Sequence, residues 1–361
     1  MLHPSPTTVV ALEALPLDLP LTEPFAIAGG APSLAANVLV RVHLAGGVVG
    51  LGEAAPFEAV SGESQTSTLA AIAAVTPTLV GHDVRATRPL AAHLAALIGP
   101  APAARAAVEM ACFDALARAH GLPLWALFGG AGRTLDTDMT VTAGDRAHAA
   151  RSARAIAERG IRTVKIKVGA ASPDEDVERV AAVFAAAPGL RYYADANGGY
   201  DEAGARRFVA QLEARGLHLA LFEQPVPRAD RESLLALART LPVLVCADES
   251  ARTAEDVVAI VRSGAPCAVN LKVTKSGVVE TLAMAAVAQA AGLPLMIGGM
   301  VESQLAMSFS AHLAAGLGGF AFVDLDTPYF VARSPFRGGF HELRGTLTVD
   351  PAAPGHGVSE G

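Results

Sequence analysis

Residues 163–197 read TVKIKVGAASPDEDVERVAAVFAAAPGLRYYADAN: a β-rich run, a helical stretch over 173–187, and a second β-rich run. The same alternation extends both ways. Upstream, DTDMTVTAG (136–144) precedes the helical stretch AHAARSARAIAERG (147–160). Downstream, a helix over 201–215 is followed by LALFEQP (219–225), VLVCADES (243–250), AVNLKV (268–273), LPLMIGGM (293–300) and AFVDLD (321–326), with helical segments between them. Gly160, Gly216, Gly264 and Gly292 fall where the residue after a helix belongs. Eight strands separated by seven helices over 137–326 describe a barrel of parallel strands. A doubly wound open sheet is the competing architecture; it is disfavoured because no Gly-rich phosphate fingerprint follows the early strands.

The flanks differ. From about Val9 to Val60 the chain shows strand-type alternation and glycine turns, as in NVLVRVHLAGGVVGLGE, and three helical stretches follow. Residues 1–125 are therefore expected to form an α+β domain, 126–326 the barrel, and 327–361 a Gly- and Pro-rich segment packing back on the first domain. Hydrophobic residues make up 52% of the 361 and charged residues 17%, so a large core is available. The net charge of −7 and the lack of a basic run argue against nucleic-acid binding. Three scattered cysteines form neither a disulfide framework nor a zinc site, and the first ten residues show no secretory pattern, so a reducing cytoplasm is expected. Residues 281–301 and 303–323 lack Asp, Glu, Lys and Arg and are long enough to span a bilayer, but glycines and Pro294 break each into a helix-like and a strand-like half. Buried helix–strand units are expected there, not membrane spans.

In a βα barrel, chemistry gathers at the C-terminal mouth of the strands. Lys165 and Lys167 share a face of the second strand. The third ends with Asp195 and Asn197, the fourth with Glu223, and the fifth with Asp248 and Glu249. Lys272 ends the sixth, and Asp324 and Asp326 lie on the eighth. These positions recur at about one βα unit, so the side chains should meet around one mouth. A lone carboxylate at a strand end is ordinarily a cap. Three on consecutive strands, flanked by lysines, need a cation, and an oxygen-only set suits Mg²⁺.

With these residues in place, the chain resembles the enolase superfamily, in particular its muconate-lactonizing subgroup. The resemblance rests on Lys165-x-Lys167, Asp195-x-Asn197, Glu223-Gln-Pro, Asp248-Glu-Ser, Lys272-x-x-Lys275-Ser-Gly and the stretch from Ala104 to Gly130. It implies an α/β fold, a (β/α)7β TIM-like barrel with an α+β capping domain. It also implies that Asp195, Glu223 and Asp248 ligate Mg²⁺, that Lys165, Lys167 and Lys272 are catalytic, and that Lys167 and Lys272 face each other across the substrate. Charge from metal and lysine would stabilise the enediolate formed when an α-proton leaves a carboxylate substrate. Two bases on opposite faces permit inversion at one carbon. Mandelate-racemase-like members use a histidine at the seventh strand, whereas Ile297-Gly298-Gly299-Met300 offers none. His312, on an apolar helix, is expected to be a core or surface residue.

Asp324-x-Asp326 resembles the pair by which dipeptide epimerases hold a substrate's α-ammonium group, with Gly298 and Met300 as further substrate-binding candidates. The expected activity is therefore epimerisation at the C-terminal residue of L,L-dipeptides. Two aspartates facing an anion would repel it, which disfavours muconate cycloisomerase and o-succinylbenzoate synthase; N-succinyl-amino-acid racemase substrates lack the free ammonium. Epimerases acting on Ala-Glu place an arginine after a Pro-Phe pair, but Pro24-Phe25 is followed by Ala26-Ile27-Ala28-Gly29-Gly30. A small or apolar C-terminal residue is thus expected in place of Glu. Glu302 is either a partner of a lysine or a helix N-terminal charge. A barrel that binds without turnover should lack at least one of these groups, and none is missing. A homo-oligomer is expected, with a small-molecule dipeptide as partner.

Overall fold

The computed structural model describes residues 5–26 and 30–361, the side chain of Ala59 excepted. Eight parallel strands form the barrel: Met139–Val141, Thr163–Lys167, Arg191–Asp195, Leu221–Glu223, Val245–Ala247, Cys267–Leu271, Leu295–Ile297 and Phe320–Val323. Each pairs in parallel with the next. The first and eighth meet where Asp138 N–H donates to the Val323 carbonyl at 3.0 Å. Nearby, Leu325 N–H donates to Thr137 Oγ1 at 2.9 Å. The seven connections between strands carry helices, from Arg146–Glu158 to Gln304–Leu317, the sixth strand being followed by a short turn of helix, Val273–Ser276, before Val278–Ala290. Gly160, Gly216, Gly264 and Gly292 have φ between 66° and 80°, the left-handed conformation that ends a helix cheaply only with glycine.

Inward-facing residues make the barrel a packed object. Tyr193, Leu221, Cys246, Ala268, Met296 and Phe322, one from each of strands three to eight, form an apolar plug. The charged residues sit above it, toward the C-terminal mouth. The two uncharged stretches resolve as helix Val278–Ala290 with strand Leu295–Ile297, and helix Gln304–Leu317 with strand Phe320–Val323. No helix among the described residues is long and apolar enough to cross a membrane.

The first domain is an antiparallel sheet, Val9–Pro20, Leu34–Leu44 and Val49–Ala54, covered by helices Gln65–Leu79, Thr87–Ile98 and Pro102–Ala119. Gly50 and Gly52 let the last helix lie on the sheet: a Cβ there would stand 2.1 Å from the Ala111 and Ala107 carbonyl oxygens. Buried Glu53 ties this domain to the barrel by accepting from Asn37 Nδ2 at 2.7 Å and from Ser303 N–H and Ala306 N–H at 2.9 and 3.2 Å. It therefore caps the helix that follows the seventh strand. The C-terminal segment touches both parts. Phe336 and Val358 pack with Leu17, Leu19, Leu39 and Leu51, while strand Thr346–Val349 pairs with Thr134–Asp136 beside the barrel.

His312 lies in this core. Its Nδ1 accepts from Trp125 N–H at 3.2 Å, so the neutral ring is the form the fold can use, and burial pulls its pKa from 6.5 to about 3. As pH falls below 6.5 the unfolded chain takes a proton that the folded chain refuses. Stability is expected to drop by about 1.4 kcal/mol per pH unit from this residue until pH nears 3. Urea unfolding of His312→Gln at pH 7 and pH 5 should show a shallower acid loss than the wild type.

Candidate active site

The register of the parallel strands brings the predicted residues together. Lys167 pairs across to Asp195, and Asp195 to Glu223, so the three stand side by side on adjacent strands. Asp248 follows the fifth strand, Lys272 the sixth and Asp324 the eighth. All are buried. Lys165 Nζ lies 2.6 Å from Asp324 Oδ2, 2.8 Å from Glu223 Oε2 and 3.0 Å from Asp195 Oδ2. Lys167 Nζ lies 2.6 Å from Asp195 Oδ2 and donates to Asn197 Oδ1 at 3.2 Å. Lys272 Nζ is 2.8 Å from Asp248 Oδ2, and Lys275 donates to Asp248 Oδ1 at 2.7 Å.

The loops at the strand ends are held by their own side chains. Gln224 sits at φ 33° and Asn197 at φ 44°, positions of stored backbone strain. Gln224 repays it: its Oε1 accepts from Asp248 N–H and Ser250 N–H at 3.0 and 3.1 Å, which fixes the turn carrying Asp248. Asn270 Nδ2 donates to Glu223 Oε1 at 2.7 Å.

Charge balance shows what this set can hold. Burial works against ionising Asp195 and Asp248, but neighbouring lysines overcome it and keep both below the usual carboxylate range. Glu223 goes the other way. Burial, with Asp195 and Asp248 beside it, pushes it up to about 8 despite Lys165. Glu223 Oε2 and Asp248 Oδ2 are also buried without a hydrogen-bond donor at a suitable angle, although an ammonium group stands 2.8 Å from each. Four lysines surround the three carboxylates, yet Glu223 stays poorly compensated between Asp195 and Asp248, and oxygens of Glu223 and Asp248 lack a well-angled donor. A hard divalent cation fits this oxygen-only set and its two unpartnered oxygens.

Burial opposes the charge on Lys165, but Asp195, Asp324, Glu223 and Asp138 outweigh it and hold its pKa well above normal. Lys272 is likewise raised against burial by Asp248 and Glu223.

Asp324 and Asp326 both line a cavity of about 440 Å³ at the mouth, as do Lys167, Lys272, Gly299 and Met300. Asp326 Oδ2 accepts from Thr140 N–H at 2.6 Å, and burial with Asp324 pushes this carboxyl up to about 7. Gly298 is not among the cavity-lining residues; a Cβ there would sit 3.0 Å from Asn270 Nδ2 and 3.3 Å from Lys272 Cε. Glu302 accepts from Met300 N–H at 3.1 Å and anchors the loop after the seventh strand; it makes no ion pair among the described residues, though Lys272 lies near enough to oppose the upward shift that burial gives its carboxyl. The capping domain supplies Phe25, Leu34, Pro56, Phe57 and Val60 to the cavity. Ile27–Gly29, within the loop that lacks an arginine, lie outside the described residues.

Sequence reasoning passed over Asp138 and the apolar cap residues. Asp138 precedes the first strand, so a pattern of carboxylates at strand C-termini does not include it. Among the described residues, the group of carboxylates drawn within 4.8 Å of one another is Asp138, Asp324 and Asp326, not Asp195, Glu223 and Asp248. Phe57 and Val60 carry no local signal, because their place depends on how the two domains meet.

Comparison with known proteins agrees with this architecture. Residues 11–129 match the mandelate racemase / muconate lactonizing enzyme N-terminal domain, and residues 147–359 the enolase C-terminal domain-like family. The chain is 53% identical over 354 residues to an aromatic dipeptide epimerase of Herpetosiphon aurantiacus, covering 98% of this chain and 99% of that one. A crystal structure of a mandelate racemase/muconate lactonizing protein from the same organism superposes with a TM-score of 0.96 at 52% identity, covering 99% of each chain. A dipeptide epimerase from Enterococcus faecalis, complexed with Mg and L-Leu-L-Tyr, superposes with a TM-score of 0.93 at 29% identity, covering 98% of this chain and 99% of that one. The chain belongs to the enolase superfamily, with the two-domain organisation of the mandelate racemase / muconate lactonizing enzymes.

Proposed function

We infer that this chain is a magnesium-dependent dipeptide epimerase, an isomerase that inverts the α-carbon of the C-terminal residue. The observation that carries the reading is angular. Lys167 and Lys272 come from the second and sixth of eight strands, half a turn apart, and line one cavity. Asp195, Glu223 and Asp248 occupy the ends of strands three to five between them, and Asp324 and Asp326 follow the eighth strand across from that arc. A dipeptide spans this arrangement with its carboxylate toward strands three to five and its ammonium toward the eighth, leaving the α-carbon between two lysines. The curated relative's name and the dipeptide in the Enterococcus complex support the same substrate class.

Asp195, Glu223 and Asp248 are the residues that would hold the magnesium. Bound there, it would supply positive charge against the negative charge that gathers on the substrate carboxylate. Lys165 adds a fixed ammonium beside Asp195 and Glu223. Lys167 takes the α-proton from one face as a free amine, and Lys272, as an ammonium, delivers a proton to the other; the return reaction exchanges their roles. Gly298 leaves room for Lys272, and Met300 forms part of the wall against the substrate side chain.

The apolar cap residues favour an apolar or aromatic C-terminal side chain, because the cations among the described lining residues are Lys167 and Lys272, both at the reacting end. N-succinyl-amino-acid racemase, o-succinylbenzoate synthase and muconate cycloisomerase activities fit less well, since each puts no ammonium near Asp324 and Asp326. In this reading the chain divides into a cap (1–125), a catalytic barrel (126–326) and a C-terminal segment (327–361). It works in the cytoplasm, where Cys112, Cys246 and Cys267 remain free and buried, and as a homo-oligomer.

Glu223→Ala should abolish Mg²⁺ binding in a calorimetric titration together with turnover, and chelation should silence the wild type; full activity in either case contradicts the metal assignment. Lys167→Ala and Lys272→Ala should each cut epimerisation by about 10²–10⁴, and each should leave α-proton exchange for one epimer at most. Near-wild-type inversion by either variant defeats the two-base assignment. Asp326→Asn should lower kcat/KM for free dipeptides about ten- to hundred-fold, as expected for a lost charge-assisted bond, and much less for N-acetylated ones. Equal losses would remove the ammonium assignment.

A further inference from the structure

Asp138 is fully buried on the inward face of the barrel, just before the first strand. Neither of its carboxyl oxygens meets a hydrogen-bond donor. One oxygen each of Asp138, Asp324 and Asp326 lie within 4.8 Å of one another. The nearest strong cation, Lys165, is engaged by Asp324 at 2.6 Å as well as by Glu223 and Asp195. Asp138 is absent from the cavity wall, whereas Asp324 and Asp326 are on it.

An isolated buried carboxylate beside a like charge is not sustainable, so one group of the cluster must keep its proton. Asp324 has Lys165 as counter-ion, and Asp326 has the Thr140 N–H. Asp138 has neither. A protonated carboxyl needs an acceptor, and the Asp324 carboxylate is beside it.

We propose that Asp138 is a positioning residue, a permanently protonated carboxyl group that donates a hydrogen bond to Asp324 and fixes that carboxylate for the substrate ammonium. Burial, reinforced by Asp324 and Asp326, pushes the Asp138 pKa well above the carboxylate range, in keeping with this geometry. Lys165 holds the same carboxylate from a second direction. The resulting clamp costs no reorganisation when the dipeptide arrives. The backbone of the same residue closes the barrel through the Val323 carbonyl, so the first strand and the ammonium-binding strand are locked together at one place.

The proposal rests on the ammonium reading of Asp324 and Asp326, and the two can fail separately. That reading is judged on the wild type alone, by comparing L-Ala-L-Phe with its N-acetylated form. Asp138 is judged on a pair of variants in the magnesium-loaded enzyme. Asp138→Asn keeps the shape and an N–H donor; Asp138→Val removes the donor. KM for L-Ala-L-Phe should rise at least tenfold in the valine variant with kcat changed less than threefold, and asparagine should restore KM to within threefold of wild type. In infrared difference spectra of wild type minus Asp138→Asn at pH 8, the carbonyl stretch of a protonated carboxylic acid should be present. No such band, an asparagine variant as impaired as the valine one, or a loss confined to kcat would overturn the proposal. So would two magnesium ions per chain in the wild type and one in Asp138→Asn, which would make the cluster a second metal site. If the valine variant does not fold, the infrared band and the asparagine kinetics decide.

Discussion

Buried negative charge at the end of three adjacent strands is the constraint on which the rest of this structure depends. Asp195, Glu223 and Asp248 are all buried, and the lysines around them compensate Asp195 and Asp248 more fully than Glu223. A protein interior tolerates such a group only if cations and hydrogen-bond donors are delivered with accuracy. The barrel delivers them by register: one layer of the parallel ladder sets Lys167, Asp195 and Glu223 abreast. Asn270 then holds Glu223 within that layer, and Gln224 fixes the turn that carries Asp248 beside it.

The same economy explains the shape of the cavity. An apolar plug seals the barrel below the charged layer, and the capping domain closes it above with aromatic and aliphatic side chains. Electrostatic interactions between plug and cap act in a low-dielectric space, where a lysine or carboxylate has more effect than it would in water. The capping domain cannot drift from the barrel without breaking the Glu53 cluster, in which one buried carboxylate serves Asn37 on the cap sheet and the start of the helix after the seventh strand. Side-chain selection and chemistry are thereby assigned to different domains but held in fixed relation.

Much of this was legible from residues alone because the barrel repeats. Once the βα period is recognised, Lys165, Lys167, Asp195, Glu223, Asp248, Lys272 and Asp324 can be put at strand ends, and the ends of a closed barrel converge. Glycines after the helices supported the same register, since their left-handed backbone is a local requirement. What could not be read depends on contacts between distant segments. Asp138 belongs to the cluster because the first strand closes against the eighth, a pairing without a sequence signature. Phe57 and Val60 reach the cavity through the packing of one domain on another. Gly298 stands against Asn270 and Lys272, where a side chain would crowd both, a contact between strand ends that no local pattern announces.

The central claim is that two lysines on opposite sides of one α-carbon exchange its proton in a dipeptide with a free amino terminus. The most direct measurement is proton NMR of L-Ala-L-Phe with the magnesium-loaded wild-type enzyme in D₂O. The account predicts loss of the Phe α-proton signal, appearance of L-Ala-D-Phe carrying deuterium at the same carbon, and an unchanged Ala α-proton. Exchange at the Ala α-carbon, or inversion without deuterium uptake from solvent, would contradict it.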